Sequence, residues 1–245
     1  MRSSITIILI LTTLFILSGC CDDECPTSPT NPSDQPYNVD IDPANFTDNI
    51  TGNAFYPLDV GSTMHYEGEN EDGEPVVVDE FVTDSTVVIM GVTCIVVRAV
   101  EYENGEMVED TDDWYAQDLD GNIWYFGEYS EEIEDSQVVS THGSWEAGVD
   151  GALPGIIMMA EPIVGTWYRQ EYYEDEAEDC GQIISLSETV TVPYGTFENC
   201  LQIAEWTPLE PGVVEHKFYA AGVGLLRAIA VEGDSGFEDL VSVTP

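Results

Sequence analysis

The chain has 245 residues, of which 48 are Asp or Glu against five Lys or Arg, giving a formal charge of −43 with 43% apolar residues. A charge of this sign repels phosphate backbones, since nucleic-acid binding rests on clustered Lys and Arg that release counterions, so no nucleic-acid partner is expected. Self-repulsion also works against the compact state and is tolerated best where salt screens it or divalent cations bind, yet the apolar content is ample for a folded core.

At the amino end Arg2 gives a short positive segment, and residues 5–17 form an almost unbroken run of Ile, Leu, Thr and Phe, the pattern of a secretory signal. This run is too short to span a bilayer, which takes about 20 apolar residues. Leu17, Ser18, Gly19 and Cys20 follow, and the quartet resembles the lipobox of bacterial lipoproteins. That resemblance implies a signal peptide over residues 1–19 and acylation of Cys20 as the first mature residue, so the expected membrane partner is reached through lipid. Each buried methylene contributes about 0.8 kcal/mol, and three acyl chains anchor stably. Cys21 occupies the next position, so the Asp that retains lipoproteins at the inner membrane is missing there, and the outer membrane is favoured where the cell has one.

Residues 20–54 read as an acylated, disordered linker: Pro26, Pro29, Pro32 and Pro36 stand among Thr, Ser, Asn and Asp, a composition that favours an extended, solvated chain. Residues 55–245 then form a single β-rich domain. Laying residues 57–128 over 161–232 reveals a weak internal repeat. "PLDVGSTMHY" falls on "PIVGTWYRQ", matching Gly61 with Gly165. "VIMGVTCIVV" falls on "VPYGTFENCLQI", matching Gly91 with Gly195 and Cys94 with Cys200. Further on, Tyr115 aligns with Tyr219.

Within each copy the local signals are strands. "TCIVVRAVEY", residues 93–102, is apolar on both faces and reads as central, whereas Leu201, Ile203, Val214, His216 and Phe218 show the two-residue alternation of half-buried strands. "DLDGN" between "WYA" and "IWYF" reads as a hairpin turn. Helical spacing is scarce, and a unit of this length buries little surface alone. The expected fold is all-β: an antiparallel, strongly curved sheet or incomplete barrel built from two weakly similar repeats.

The stretches "DWYAQDLDGNIWYFGE", "GSWEAGVDGALPGIIM", "YRQEYY" and "VPYGTFENCLQIAEWTPLEPGVVEHKFYAAGVGLL" resemble a group of uncharacterised bacterial lipoproteins, and the closing pattern is similar to curved-sheet envelope lipoproteins of the lipoprotein-carrier type. The resemblance implies a fold neighbourhood and a role with a hydrophobic ligand, and brings no catalytic residues.

Of the cysteines beyond Cys20, the repeat pairs Cys94 with Cys200, a candidate disulfide between the halves. Cys180 with Cys200 is the rival, and both thiols serve equally as small core residues. Cys21 and Cys25 fall in the linker. "GDSG", residues 233–236, resembles the nucleophile segment of trypsin-like proteases, with Ser235 in place. It lacks the following glycine, and His65, His142 and His216 lie in other surroundings than that family's base, so a turn is expected. Asp118, Asp120 and Asn122 alternate oxygens as calcium loops do, but Gly121 comes at the fourth position where an EF-hand has it at the sixth. No catalytic residue, metal ligand or cofactor is expected. The leading functional expectation is a non-enzymatic envelope lipoprotein that binds an apolar ligand or a lipidated partner on a concave β-face. Trp114, Trp124, Tyr125, Phe126, Trp167, Tyr168, Tyr172, Tyr173 and Trp206 are available to line it or to fill the core. The alternative is a structural or adhesive module acting through an acidic exterior that binds calcium.

Overall fold

The computed structural model describes residues 36–245, and the signal, Cys20, Cys21, Cys25 and most of the linker lie outside the described residues. Most of the described chain is strand, and its helical content is a single 3-10 turn over Pro43–Asn45. In chain order the strands are β1 (Phe46–Thr47), β2 (Thr63–Glu69), β3 (Pro75–Ile89), β4 (Val92–Glu103), β5 (Glu106–Asp118), β6 (Ile123–Glu134), β7 (Gln137–Ser140) and β8 (Trp145–Glu146). They continue as β9 (Leu153–Met158), β10 (Trp167–Arg169), β11 (Glu171–Tyr172), β12 (Cys180–Val192), β13 (Gly195–Trp206), β14 (Val214–Ala220), β15 (Gly224–Glu232) and β16 (Phe237–Thr244).

Local chemistry sets the hairpins. Met90-Gly91 and Asn104-Gly105 join β3 to β4 and β4 to β5 as two-residue turns with both residues at positive φ, 51° and 82° in each case. This is the twist that matches the right-handed coil of the flanking strands. Antiparallel neighbours follow in the order β10-β12-β13-β14-β15-β16-β2-β3-β4-β5-β6-β9-β11.

The two ends of that path, β10 and β11, are consecutive in the chain with only Gln170 between them. The first pairs with β12 (Trp167 opposite Gln182) and the second with β9 (Glu171 opposite Pro154). One short segment thus spans the seam by changing partner halfway, and the sheet is a nearly closed barrel whose ladder is not continuous across that seam. Gly155 of β9 makes the approach feasible, since a Cβ there would stand 2.4 Å from the carbonyl carbon and oxygen of Gln170.

The repeat is visible in the hydrogen bonds. Gly61 N–H donates to Val82 O while Val82 N–H donates to Ser62 O; in the second half Gly165 N–H donates to Ile183 O and Ile183 N–H to Thr166 O. Gly61 and Gly165 both have positive φ, 93° and 89°. The units β2 to β6 and β10 with β12 to β15 are therefore two versions of one turn-and-meander. Their hairpin turns differ: Gly91 is a turn residue with positive φ, whereas Gly195 begins β13 and has none, the turn being made by Pro193-Tyr194.

Two expectations need correction. The linker does not run to residue 54, because residues 36–54 pack along the barrel. Ile41, Phe46 and Ile50 pack against the main core, β1 pairs with β5, and the Tyr37 hydroxyl donates to Pro154 O at 2.9 Å. Apolar side chains spaced through an otherwise polar stretch supply the burial. The expected Cys94–Cys200 bridge is not formed either. Cys94, Cys180 and Cys200 are all free and buried. Cys94 belongs to the main core and Cys200 to a smaller one, where Val190, Val192 and Phe197 of the β12–β13 hairpin meet Leu226 and Leu240.

Candidate ligand site in the barrel lumen

The lumen has two chemically different halves, and the strands explain why. Successive inward side chains are two residues apart. On β3 they pass from Val82 to Glu80, on β5 from Tyr115 to Asp113, on β13 from Ile203 to Glu205, on β14 from Tyr219 through Lys217 to Glu215, and on β16 from Leu240 to Glu238. A single step of the pleat on each strand exchanges an apolar wall for an acidic one.

The apolar half is closed by the chain leading into β2. Asn53 Nδ2 donates to Gly121 O at 3.2 Å, Gly222 N–H donates to Ala54 O at 2.7 Å, and Tyr56, Pro57 and Leu58 form the floor. Above them lies a cavity of about 130 Å³. Its walls are Met64, Tyr66, Val82, Val97, Tyr115, Tyr219 and Leu225, with Glu80 and Lys217 at its upper edge. Tyr56 meets Tyr115 edge-on at 5.4 Å, and Tyr115 stacks on Tyr125 at 5.1 Å. Aromatic pairs in these geometries stabilise by about 0.5–1.5 kcal/mol beyond their burial, so the wall is stiff.

The acidic half is a vestibule of about 320 Å³ that shares Glu80, Lys217 and Leu225 with the cavity below. Asp179, Glu205, Glu215 and Glu238 line it, and its rim is formed by Trp206, Thr207 and Glu210 between β13 and β14 and by Asp234 between β15 and β16. Lys217, the single lysine of the sequence, stands in its centre. Its Nζ is 2.8 Å from Glu205 Oε2 and 3.4 Å from Glu215 Oε2. Burial acts to lower its pKa, and the two carboxylates overcome this and hold it well above the ordinary value. Glu205 is further fixed by Gln170 in the seam, whose Nε2 donates to Oε1 at 2.7 Å.

The other acids feel the opposite balance. Burial, and then Asp113 and Glu238, push Glu80 up to about 7, with Lys217 acting against them. Burial followed by Glu215 pushes Glu238 up to about 7. Asp113 is raised to about 7 chiefly by burial, although the Tyr125 hydroxyl donates to it at 2.6 Å and works the other way. Asp179, open to water within the vestibule, rises to about 6 through the wall around it and the charge of Glu205. Burial raises each of these groups first, and the carboxylates around them add to it.

Two buried side-chain polar atoms, Trp145 Nε1 and the Tyr168 hydroxyl, make no hydrogen bond among the described residues. The Tyr168 hydroxyl is buried, its residue 6% exposed, without a hydrogen bond. Tyr168 lies opposite Gly181, and Gly181 lies opposite Glu205, so the ring crosses the gap that the glycine leaves, toward Glu205. Its hydroxyl would stand 3.2 Å from a Cβ at Gly181.

The residues expected from sequence are placed otherwise. Of the aromatics named as groove candidates, only Trp206 lines either lumen cavity. Phe126 is wholly core, Trp167 is exposed at the seam, and Tyr172 lies beneath Arg169 at 4.9 Å. Trp114 and Tyr173 line a separate pocket with Trp145 and Glu128. Tyr56, Tyr66, Tyr115 and Tyr219 line the lumen instead, and the repeat match of Tyr115 with Tyr219 was the available signal. Asp118 is consumed by its own hairpin, accepting from Asn122 N and Nδ2, both at 2.8 Å, and from Trp124 Nε1 at 2.9 Å. Ser235 sits in a turn and donates to Glu71 O at 3.4 Å, while His65 pairs with Asp79, His216 with Gln202 and His142 with Glu176.

No family model and no curated protein matches the chain. Among solved structures it is similar to a protein of Bacteroides fragilis NCTC 9343 assigned as exported and as having a YmcC-like fold. There the TM-score is 0.47 and the identity 15%, over 79% of this chain and 100% of that one. It is also similar to a protein of Parabacteroides distasonis ATCC 8503 assigned as a lipoprotein, with a TM-score of 0.45 and 15% identity over 79% of this chain and 99% of that one.

Proposed function

We propose that the protein is a non-enzymatic envelope lipoprotein, tethered through acylated Cys20 and placed at the outer membrane where one exists, whose barrel holds a small apolar molecule or group. The observation that carries this reading is the tyrosine-walled cavity of about 130 Å³ at the closed end of the lumen. A dry apolar cavity of about 150 Å³ takes up benzene, so the space suits a group of that size and not a long acyl chain. Of the two occupants expected from sequence, a compact apolar ligand therefore fits better than the acyl chain of a lipidated partner. The test uses the mature chain carrying Cys20→Ser and exported to a bacterial periplasm. Native mass spectrometry is expected to show a small co-purified mass, and toluene is expected to shift the Tyr115 and Tyr219 resonances saturably. The Leu225→Phe variant, which narrows the cavity, should abolish the shift. A bare protein that ignores toluene would overturn the reading.

A further inference from the structure

Resting on the lumen as the binding site, we propose that its ligand is a small organic cation: an aromatic or short aliphatic body seated between Tyr115 and Tyr219, carrying an ammonium group that Glu80 and Glu238 receive.

The cavity and the charge distribution point to the same molecule. Immediately above the apolar pocket the wall turns acidic, and Lys217 is engaged by Glu205 and Glu215 only. Glu80 and Glu238 face the same space, and neither takes part in an ion pair among the described residues. Lys217 is the one cation lining this space and faces several carboxylates, so an excess of negative charge stays uncompensated in it, which is costly, and a cationic ligand supplies the missing charge.

A bare metal ion suits the lumen less well. Among the described residues no three His, Cys, Asp or Glu converge into a metal-holding group, and the vestibule spreads its acids around about 320 Å³. Calcium gathers six to eight oxygens at about 2.3–2.6 Å. An ammonium on an apolar stem needs only two or three acceptors and brings its own apolar surface for the pocket below.

The test uses the mature chain carrying Cys20→Ser and isothermal titration calorimetry at physiological salt, with three probes: 2-phenylethylamine, its neutral counterpart 2-phenylethanol, and putrescine. The amine is expected to bind about tenfold or more tighter than the alcohol, as a charge-assisted hydrogen bond confers, and putrescine should bind more weakly than the amine. Glu80→Gln with Glu238→Gln should bring the amine-to-alcohol affinity ratio down to about one, with far-UV circular dichroism reporting that the barrel is intact. Should the double variant fail to fold, the amine-to-alcohol ratio of the parent protein decides. Equal binding of amine and alcohol overturns the cation and leaves the apolar site standing. Putrescine equal to the amine also overturns it, because attraction to the overall charge then suffices. No binding of either aromatic probe overturns both readings.

Discussion

Replacing Glu80 with glutamine should stabilise the protein at alkaline pH. Glu80 lies on the inner face of β3, where the apolar wall gives way to the acidic one, and its carboxyl is raised from 4.5 to about 7, by burial first and then by Asp113 and Glu238, against the pull of Lys217. A carboxyl with a higher pKa in the folded state keeps its proton longer there, so stability falls as the pH rises from 4.5 to about 7, and the full penalty stands above that range. At about 1.4 kcal/mol per pH unit the displacement corresponds to about 3 kcal/mol. Water reaching the vestibule screens the charge and reduces the figure to about 1–2 kcal/mol. Glutamine keeps the shape without the charge. Glu80→Gln is therefore expected to raise the unfolding free energy by about 1–2 kcal/mol near pH 8 and hardly at all near pH 5. Urea unfolding at both pH values measures this, with Glu71→Gln as the comparison, since Glu71 is exposed in the β2–β3 turn and reports only relief of overall charge. A gain at Glu80 no larger than that at Glu71, or one equal at both pH values, would refute the reasoning.

Removing Lys217 should act in the opposite direction. Lys217→Met leaves Glu205 and Glu215 facing each other uncompensated and is expected to cost about 2–4 kcal/mol near pH 8 and less near pH 5, read from the same urea curves. Gly155→Ala should open the seam, because its Cβ would collide with the backbone of Gln170. A loss of about 2–3 kcal/mol is expected, together with faster amide exchange in β9 and β10. Alkylation under denaturing, non-reducing conditions should label Cys94, Cys180 and Cys200 completely, and reductant should leave the unfolding midpoint unchanged. A bridge between Cys94 and Cys200 would instead add about 2–4 kcal/mol that reductant removes.

Much of the architecture could be read from the chain. Alternation in β13 and β14, the apolar faces of β4 and the "DLDGN" turn are local signals, and each became the strand or hairpin expected. The repeat was legible through Gly61 and Gly165 because a positive-φ turn constrains residue type. The same alignment misled at Cys94 and Cys200. Equivalent places in a repeat lie on the same part of each unit, and the coil of the sheet carries those parts into different cores. The start of the ordered domain was also misplaced, since proline and aspartate dominate the composition of residues 36–54 while Ile41, Phe46 and Ile50 decide where the segment lies.

The amino-acid sequence by itself determined the export signal pattern, the acidity, the antiparallel β-class and the two-fold internal likeness, because each depends on composition or on neighbours a few residues apart. The tertiary structure alone decided which of 48 acids matter. Glu80, Glu205, Glu215 and Glu238 resemble any other acid along their strands, and they become one site only when a barrel brings β3, β13, β14 and β16 around a common space. Closure also places the single lysine among them and sets the tyrosines beneath. Inward and outward carboxylates differ in the sequence only by which face of the pleat they occupy, and that face is assigned by closure of the sheet.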